Sequence, residues 1–402
     1  MRIIFITTSN LATNPRLVKE IDLATSMGYE LELIQFNLNN WSDKLTKQIL
    51  CKYPKIINIE ISAGKEPFFA WFSSSVLEKV CSYIPSFILP TKWLSISLNK
   101  RAYLIQRYFK FISSKPDIII AHNPGSFYPA LFLAAKLNTE FAIDIEDYHP
   151  GETLSTRQSK RMKKLILNTL PKAKYVSFAS RLIMQQIESD FRKPNISLNN
   201  PILIDNVFPK SEFTEIKPFP LDQSKLNFVW FSQNIDYSRG LESIFSVFDE
   251  LQNEISLTLI GNIRKEFYQN EILHRSYIHI EAPKAQKELH GILPNFDVGL
   301  ALETKASDMN RDICLTNKIW AYLQSGIFIF ASYTQAQTDF INRFPLNGVV
   351  IFDNREKAKL QIKSLILEKI QIRERKNDRR MINNVINWEQ ESSKLQSFWK
   401  FH

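Results

Sequence analysis

Short apolar runs alternate with amphipathic stretches along almost the whole chain. The first run, residues 3–7, is followed by a polar loop and a helical pattern ending near Met27-Gly28, and a second run covers 31–36. Then come the strand pattern K-P-D-I-I-I-A at 115–121, a helical pattern over 128–137 and a run at 140–145. A basic helical pattern around 155–170, a run at 175–178 and a helix after Ser180 complete the first half. The centres of the first and third runs, I-I-F-I at 3–6 and I-I-I-A at 118–121, are apolar at consecutive positions, not at every second one. That predicts strands buried on both faces, hence a parallel sheet with helices on either side.

Between residues 193 and 220, Pro194, Pro201, Pro209, Pro218 and Pro220 interrupt the pattern. Proline fixes φ and removes a backbone donor, so this segment predicts a linker between domains 1–205 and 206–383. After it the alternation restarts, with strands at 227–231, 257–260 (closing at Gly261), 278–280 and 298–302, and helices at 241–251 and 284–293. Residues 314–332, C-L-T-N-K-I-W-A-Y-L-Q-S-G-I-F-I-F-A-S, follow. They read as a helix starting at Thr316 or Asn317, an apolar face of Ile319, Trp320 and Leu323, a stop at Gly326 and a buried strand. A strand at 349–352 and a helix at 357–370 come next, and the last segment, 384–402, places Trp388, Leu395 and Trp399 at helical spacing. The expected fold class is α/β, with two doubly wound, Rossmann-like domains in tandem.

A length of 402 residues suits two cores better than one, and 44% apolar with 23% charged residues is a globular composition. Cys51, Cys81 and Cys314 form no C-x-x-C pair, so neither a disulfide framework nor a zinc site is expected and a cytoplasmic setting is. The first apolar run is too short for a signal peptide, and no stretch of roughly 18 apolar residues suggests a membrane span. The net charge of +10 is uneven. Residues 76–115 hold seven basic side chains against one acid, Glu78, interleaved with Tyr83, Phe87, Trp93, Tyr103, Tyr108, Phe109 and Phe111. Residues 157–174 hold seven more and no acid. Such runs suit an anionic membrane surface, placing the protein at the inner face of the cell membrane. The plainer reading is a solvated basic face over an aromatic core. No nucleic-acid-binding motif is present, so nucleic acid is not an expected partner.

Neither half carries G-x-G-x-x-G, a Walker phosphate loop or H-E-x-x-H, which disfavours a dinucleotide site. In doubly wound folds ligands gather at the carboxyl ends of the strands. That singles out Asn10, Asn14 and Arg16 after the first run, although Asn14-Pro15 also suits a helix cap. It singles out His122, exposed by topology after the run at 115–121, and Glu146, Asp147 and His149 after the run at 140–145. Asp144 and Glu146 alternate as in a D-x-D metal site. Two tandem domains argue against the single-domain layout that uses such a motif, so no metal is expected. In the second half, Lys318 beside a helix start at Thr316-Asn317 makes an anion site.

In these residues the chain resembles the GT-B glycosyltransferases, especially the retaining group called family 4. Asn317, Lys318, Tyr322, Gly326 and Ser332 match that group's nucleotide-sugar motif. Residues 228–240 align with its diphosphate-gripping motif, with Arg239 where lysine is usual and Asn234 where arginine is usual. The resemblance implies two domains facing across a cleft, with the final helix crossing back onto the first. The acceptor would meet Asn10, Asn14, Arg16, Glu146 and Asp147, and the donor would meet Arg239, Asn234, Thr316, Asn317 and Lys318. His122 would contact the transferred sugar. The group's glutamate pair is absent, its positions being Ile313 and Ala321. The long loop after 298–302 offers Glu303, Asp308, Arg311 and Asp312 instead, with Glu303 the first candidate for a catalytic role. The implied activity is retaining transfer from a nucleotide sugar to a saccharide acceptor, lipid-linked, in surface polysaccharide or lipopolysaccharide assembly, without metal or cofactor. The missing pair leaves two alternatives: a non-catalytic partner tethering a polysaccharide-assembly complex to the membrane, and a sugar-nucleotide epimerase.

Overall fold

The computed structural model describes residues 1–112, 114–152, 155–192, 195–303, 308–351 and 354–400. The chain divides into two compact units, Met1–Ile204 and Asp205–Lys400, and the division falls inside the proline-rich segment.

The first unit is built on seven strands: β1 (Arg2–Thr7), β2 (Glu30–Asn37), β3 (Ile57–Ser62), β4 (Ile118–His122), β5 (Glu140–Ile145), β6 (Val176–Phe178) and β7 (Pro201–Leu203). All pair in parallel, in the order β3-β2-β1-β4-β5-β6-β7. Ile3, Ile4, Phe5 and Ile6 are all fully buried, which is why the run is apolar at every position. The winding reverses between β1 and β4, and the carboxyl ends of those two strands form the switch point where such folds bind ligands. Helix Pro15–Ser26 starts there, capped by Asn14, whose Oδ1 accepts from Leu17 N–H at 3.0 Å. Helix Ser42–Leu50, β3 and helix Phe68–Tyr83 do not follow from the sequence pattern. β7 falls in the segment expected to be linker. Pro201 opens this strand at the sheet edge opposite Val176, where its missing N–H removes no ladder bond from a central strand. Pro194 lies outside the described residues.

The second unit has six parallel strands: β8 (Leu226–Ile235), β9 (Ile255–Ile263), β10 (Ile278–Glu281), β11 (Val298–Ala301), β12 (Phe328–Ala331) and β13 (Gly348–Val350). Their order is β10-β9-β8-β11-β12-β13, so the winding reverses between β8 and β11. β8 and β9 run further than the sequence suggested. The register of β8 shifts between Phe231 and Asn234, and β9 passes through Gly261 instead of stopping there. A Cβ at Gly261 would lie 2.1 Å from the Ser232 carbonyl oxygen, so only glycine fits beneath the irregular stretch. The helix expected at 357–370 is two helices, Arg355–Leu367 and Lys369–Glu374, and Phe352, expected in the last strand, lies outside the described residues. Two apolar clusters fill the unit, one around Phe228, Trp230, Phe245 and Phe248, the other around Phe208, Trp320, Tyr322 and Phe340. The C-terminal helix Trp388–Trp399 is tied within this unit by Trp388 N–H donating to Phe208 O (3.0 Å) and by Glu391 Oε2 accepting from Asp205 N–H (2.8 Å).

Candidate active site

In the first unit the parallel register sets Thr7, His122 and Asp144 side by side at the ends of β1, β4 and β5. Registered neighbours point to one face, and there Arg16 and Glu20, one helical turn apart, meet them. His122 Nε2 lies 3.2 Å from Glu20 Oε2, and His122 Nδ1 lies 3.5 Å from Asp144 Oδ2. Arg16 approaches Glu20 (3.4 Å) and Asp144 (3.5 Å) and donates to Ile204 O at 3.1 Å. All four side chains are buried. Burial opposes charge on His122, but Glu20, then Asp144 and Glu146, outweigh it and raise its pKa. The same balance raises that of Arg16. Burial and repulsion from Asp144 push half-buried Glu146 up to about 7, against the pull of His122 and Arg16.

This arrangement corrects the reading of His122 as exposed. Its ring faces inward, between two carboxylates, and holds the network together. Asn10 is equally committed: its Oδ1 accepts from Thr13 N–H and its Nδ2 donates to Ser42 Oγ at 2.7 Å. Asn123, Glu146, Asp147 and His149 are half-buried polar groups at this end. Asn123, missed in the sequence, has φ 72 and ψ 144, a conformation rare outside glycine. Its Oδ1 accepts from Thr7 Oγ1 at 2.6 Å. The readable signal was an asparagine, tolerant of positive φ, directly after a strand and before proline. His122, Asp144 and Glu146 also bring three donor atoms within 4.8 Å of one another, a geometry able to hold a cation. Arg16 already supplies positive charge to the same carboxylate.

In the second unit the candidates gather around the switch point between β8 and β11. Asn234 and Arg239 are exposed on and after β8, and Glu303 follows β11, its N–H donating to Ser332 Oγ at 2.7 Å. Helix Asn317–Ser325 starts beside them with Thr316 as its cap residue and ends at Gly326 in the left-handed conformation. Thr316 does not cap with its side chain, and among the described residues its buried Oγ1 meets no hydrogen-bond partner. Half-buried Lys318 stands over the Trp230 ring, 4.5 Å from its centroid. Burial lowers its pKa to about 8; Glu303 opposes this, and Arg239 and Arg311 add to it. Arg311 donates to Ser238 O at 3.1 Å, which holds it against the loop carrying Arg239.

The other carboxylates of the long loop serve the fold. Asp308 caps helix Met309–Ile313, and Asp312 Oδ1 accepts from Gln335 N–H at 2.9 Å. Ile313 and Ala321 are buried and apolar. Residues 304–307 lie outside the described residues.

No family model matches this sequence, and no curated protein matches it either. Solved structures match along the whole chain. HepE from Anabaena, in complex with UDP, is 12% identical and superposes with a TM-score of 0.67 over 99% of each chain. A glycosyltransferase from Rickettsia africae is 14% identical, with a TM-score of 0.66 over 99% of this chain and 97% of its own. Sucrose-phosphate synthase from Thermosynechococcus elongatus is 12% identical, with a TM-score of 0.67 over 99% and 98%. HepE has also been solved with UDP-glucose. The chain has the fold of these proteins. That fold is GT-B, with two doubly wound parallel-sheet units in one chain.

Proposed function

We propose that this protein is a retaining glycosyltransferase that uses a nucleotide sugar and extends a lipid-linked saccharide in surface polysaccharide assembly. The observation that carries the reading is the group of Arg239, Arg311 and Lys318 with a helix N-terminus at the switch point of the second sheet. Three cations and free N–H groups suit a diphosphate, and they stabilise it most as it departs with developing charge. Thr316, Asn317 and Asn234 add hydrogen bonds. Glu303, the carboxylate nearest in effect to Lys318, reaches toward sugar hydroxyls in place of the missing pair. The UDP complexes of HepE make UDP-sugars the first donors to test.

In the proposed reaction the acceptor oxygen attacks the anomeric carbon from the leaving group's side. The bond from that carbon to the diphosphate oxygen breaks, and the acceptor proton passes to the departing phosphate. No metal or cofactor takes part. On the first unit Glu146, Asp147 and Asn123 are the groups offered to an acceptor, while Asp144, His122 and Arg16 set the charge around Glu146.

Thermal stabilisation by a panel of UDP-, GDP-, ADP- and CDP-sugars tests the donor site. Donor at 100 times its Kd adds about 2.7 kcal/mol, and Arg239→Ala should weaken binding roughly tenfold to a hundredfold. A folded protein that responds to none of them is not a transferase of this kind. Release of free nucleotide from a bound donor without any acceptor would favour the epimerase.

A further inference from the structure

We propose that the outward face of helix Phe68–Tyr83, with the turn that follows it, docks on an anionic lipid bilayer. This deepens the lipid-linked acceptor reading, on which it rests, and names the surface involved. The helix is built inside out. Its fully buried positions are the small residues Ala70, Ser74 and Cys81, with Trp71 and Leu77 half-buried beside them. Its outward face carries Phe69, Phe72, Val76, Val80 and Tyr83, spaced three and four apart in one stripe. Phe69 is 83% exposed, and beyond the helix Phe87 is 80% exposed with Ile88 beside it. Burying small residues and showing aromatic ones to water is the reverse of what folding stability selects, so the stripe marks an interaction surface.

Charge complementarity selects the partner. Lys79 is exposed on the same helix. The second basic run, helix Thr156–Thr169, is fastened to the end of the stripe through carbonyls. Arg161 donates to Cys81 O (3.1 Å) and Ser82 O (2.9 Å), Arg157 to Ile84 O (3.4 Å), and Lys164 to Phe87 O (3.2 Å). Carbonyl partners leave the positive charge in place. Exposed Arg157 and Lys160 therefore stand on the helix tied beneath the aromatic tip. An apolar stripe alone would suit a second copy of the chain or a protein partner. Aromatic side chains rimmed by lysine and arginine suit the headgroup boundary of an anionic membrane. Among the described residues no helix is long and apolar enough to cross a membrane, so the helix lies in the surface plane.

The test is co-sedimentation of the full chain with vesicles of phosphatidylcholine alone and of phosphatidylcholine mixed equally with phosphatidylglycerol. Binding to the mixed vesicles, weakened by salt, is expected. The triple variant Phe69→Ser, Phe72→Ser, Phe87→Ser should lower it by at least about a hundredfold. Lys79→Gln, Arg157→Gln, Lys160→Gln together should lower it on the order of a hundredfold and remove the preference for anionic lipid. Phe69→Trp, which keeps an aromatic residue at this position, should add to the emission of the chain's seven tryptophans a component quenched by brominated lipid. Absence of binding to the mixed vesicles, or equal binding by the aromatic triple variant, overturns the proposal. So does a dimer that the triple variant turns to monomer without any vesicle binding. UDP-sugar stabilisation measured on the same variants separates the two readings. No vesicle binding by the unaltered chain, with its UDP-sugar response intact, removes the docking face and leaves the transferase.

Discussion

Lys318 titrates where its effect on donor binding is measurable. Burial brings its pKa to about 8, and a bound diphosphate favours its charged form. Donor affinity should therefore fall as pH rises past about 8, and Lys318→Met should flatten that profile in calorimetric titrations. The stability effect has the opposite sign. Between about 8 and the ordinary 10.5 the folded chain holds this proton less than the unfolded chain does, so the residue makes stability rise with pH across that window. Glu146, raised to about 7, predicts an acid limb near neutral pH in kcat/KM that Glu146→Gln abolishes. A limb that survives in the variant excludes Glu146 as its source. His122 belongs to stability first. Removing one partner of a buried charged network costs about 3–5 kcal/mol, so His122→Ala should show a large loss in urea denaturation with its donor response preserved in the folded fraction.

Helix Asn317–Ser325 shows how an element is placed by its ends. Gly326 stops it at φ 77, and a Cβ there would meet Lys376 O at 2.6 Å. Gly326→Ala should destabilise the second unit by at least about 1–2 kcal/mol from the positive φ alone, seen as a lowered Tm; an unchanged Tm would mean the turn rearranges freely. This stop, the helix start and the strand after it were all readable, because capping, glycine and apolar runs are local signals. The central strands β1, β4, β5, β8 and β11 were readable for the same reason. β3 was not, since its Ile57 and Asn58 are exposed and its pattern is that of an edge. β7 was hidden by its own proline. At the candidate sites, Lys318 follows from its place in a first helical turn, whereas Arg239 and Glu303 were legible only through the resemblance. Burial of His122, and the commitment of Asp308 and Asp312 to capping, depend on which residues the fold brings beneath and beside them, which spacing does not encode.

At the scale of the whole chain, each unit has its own sheet and buried core, so each can unfold on its own. Calorimetry of the full chain should resolve two transitions, with a UDP-sugar raising the transition of the second unit. A single transition that shifts as one would show that the units unfold together. The repeated reversal of winding, between β1 and β4 and between β8 and β11, gives each unit a ligand position at the same place in its sheet. The four buried charges of the first unit also bear on descent. Arg16 and Glu20 lie on one helix, while His122 and Asp144 end two separate strands. A change at any one of them leaves a buried charge unanswered, whereas replacing the set with apolar residues of similar volume is tolerated. Lineages of this protein should therefore keep all four or lose them together, and these distant positions should be inherited as a single block.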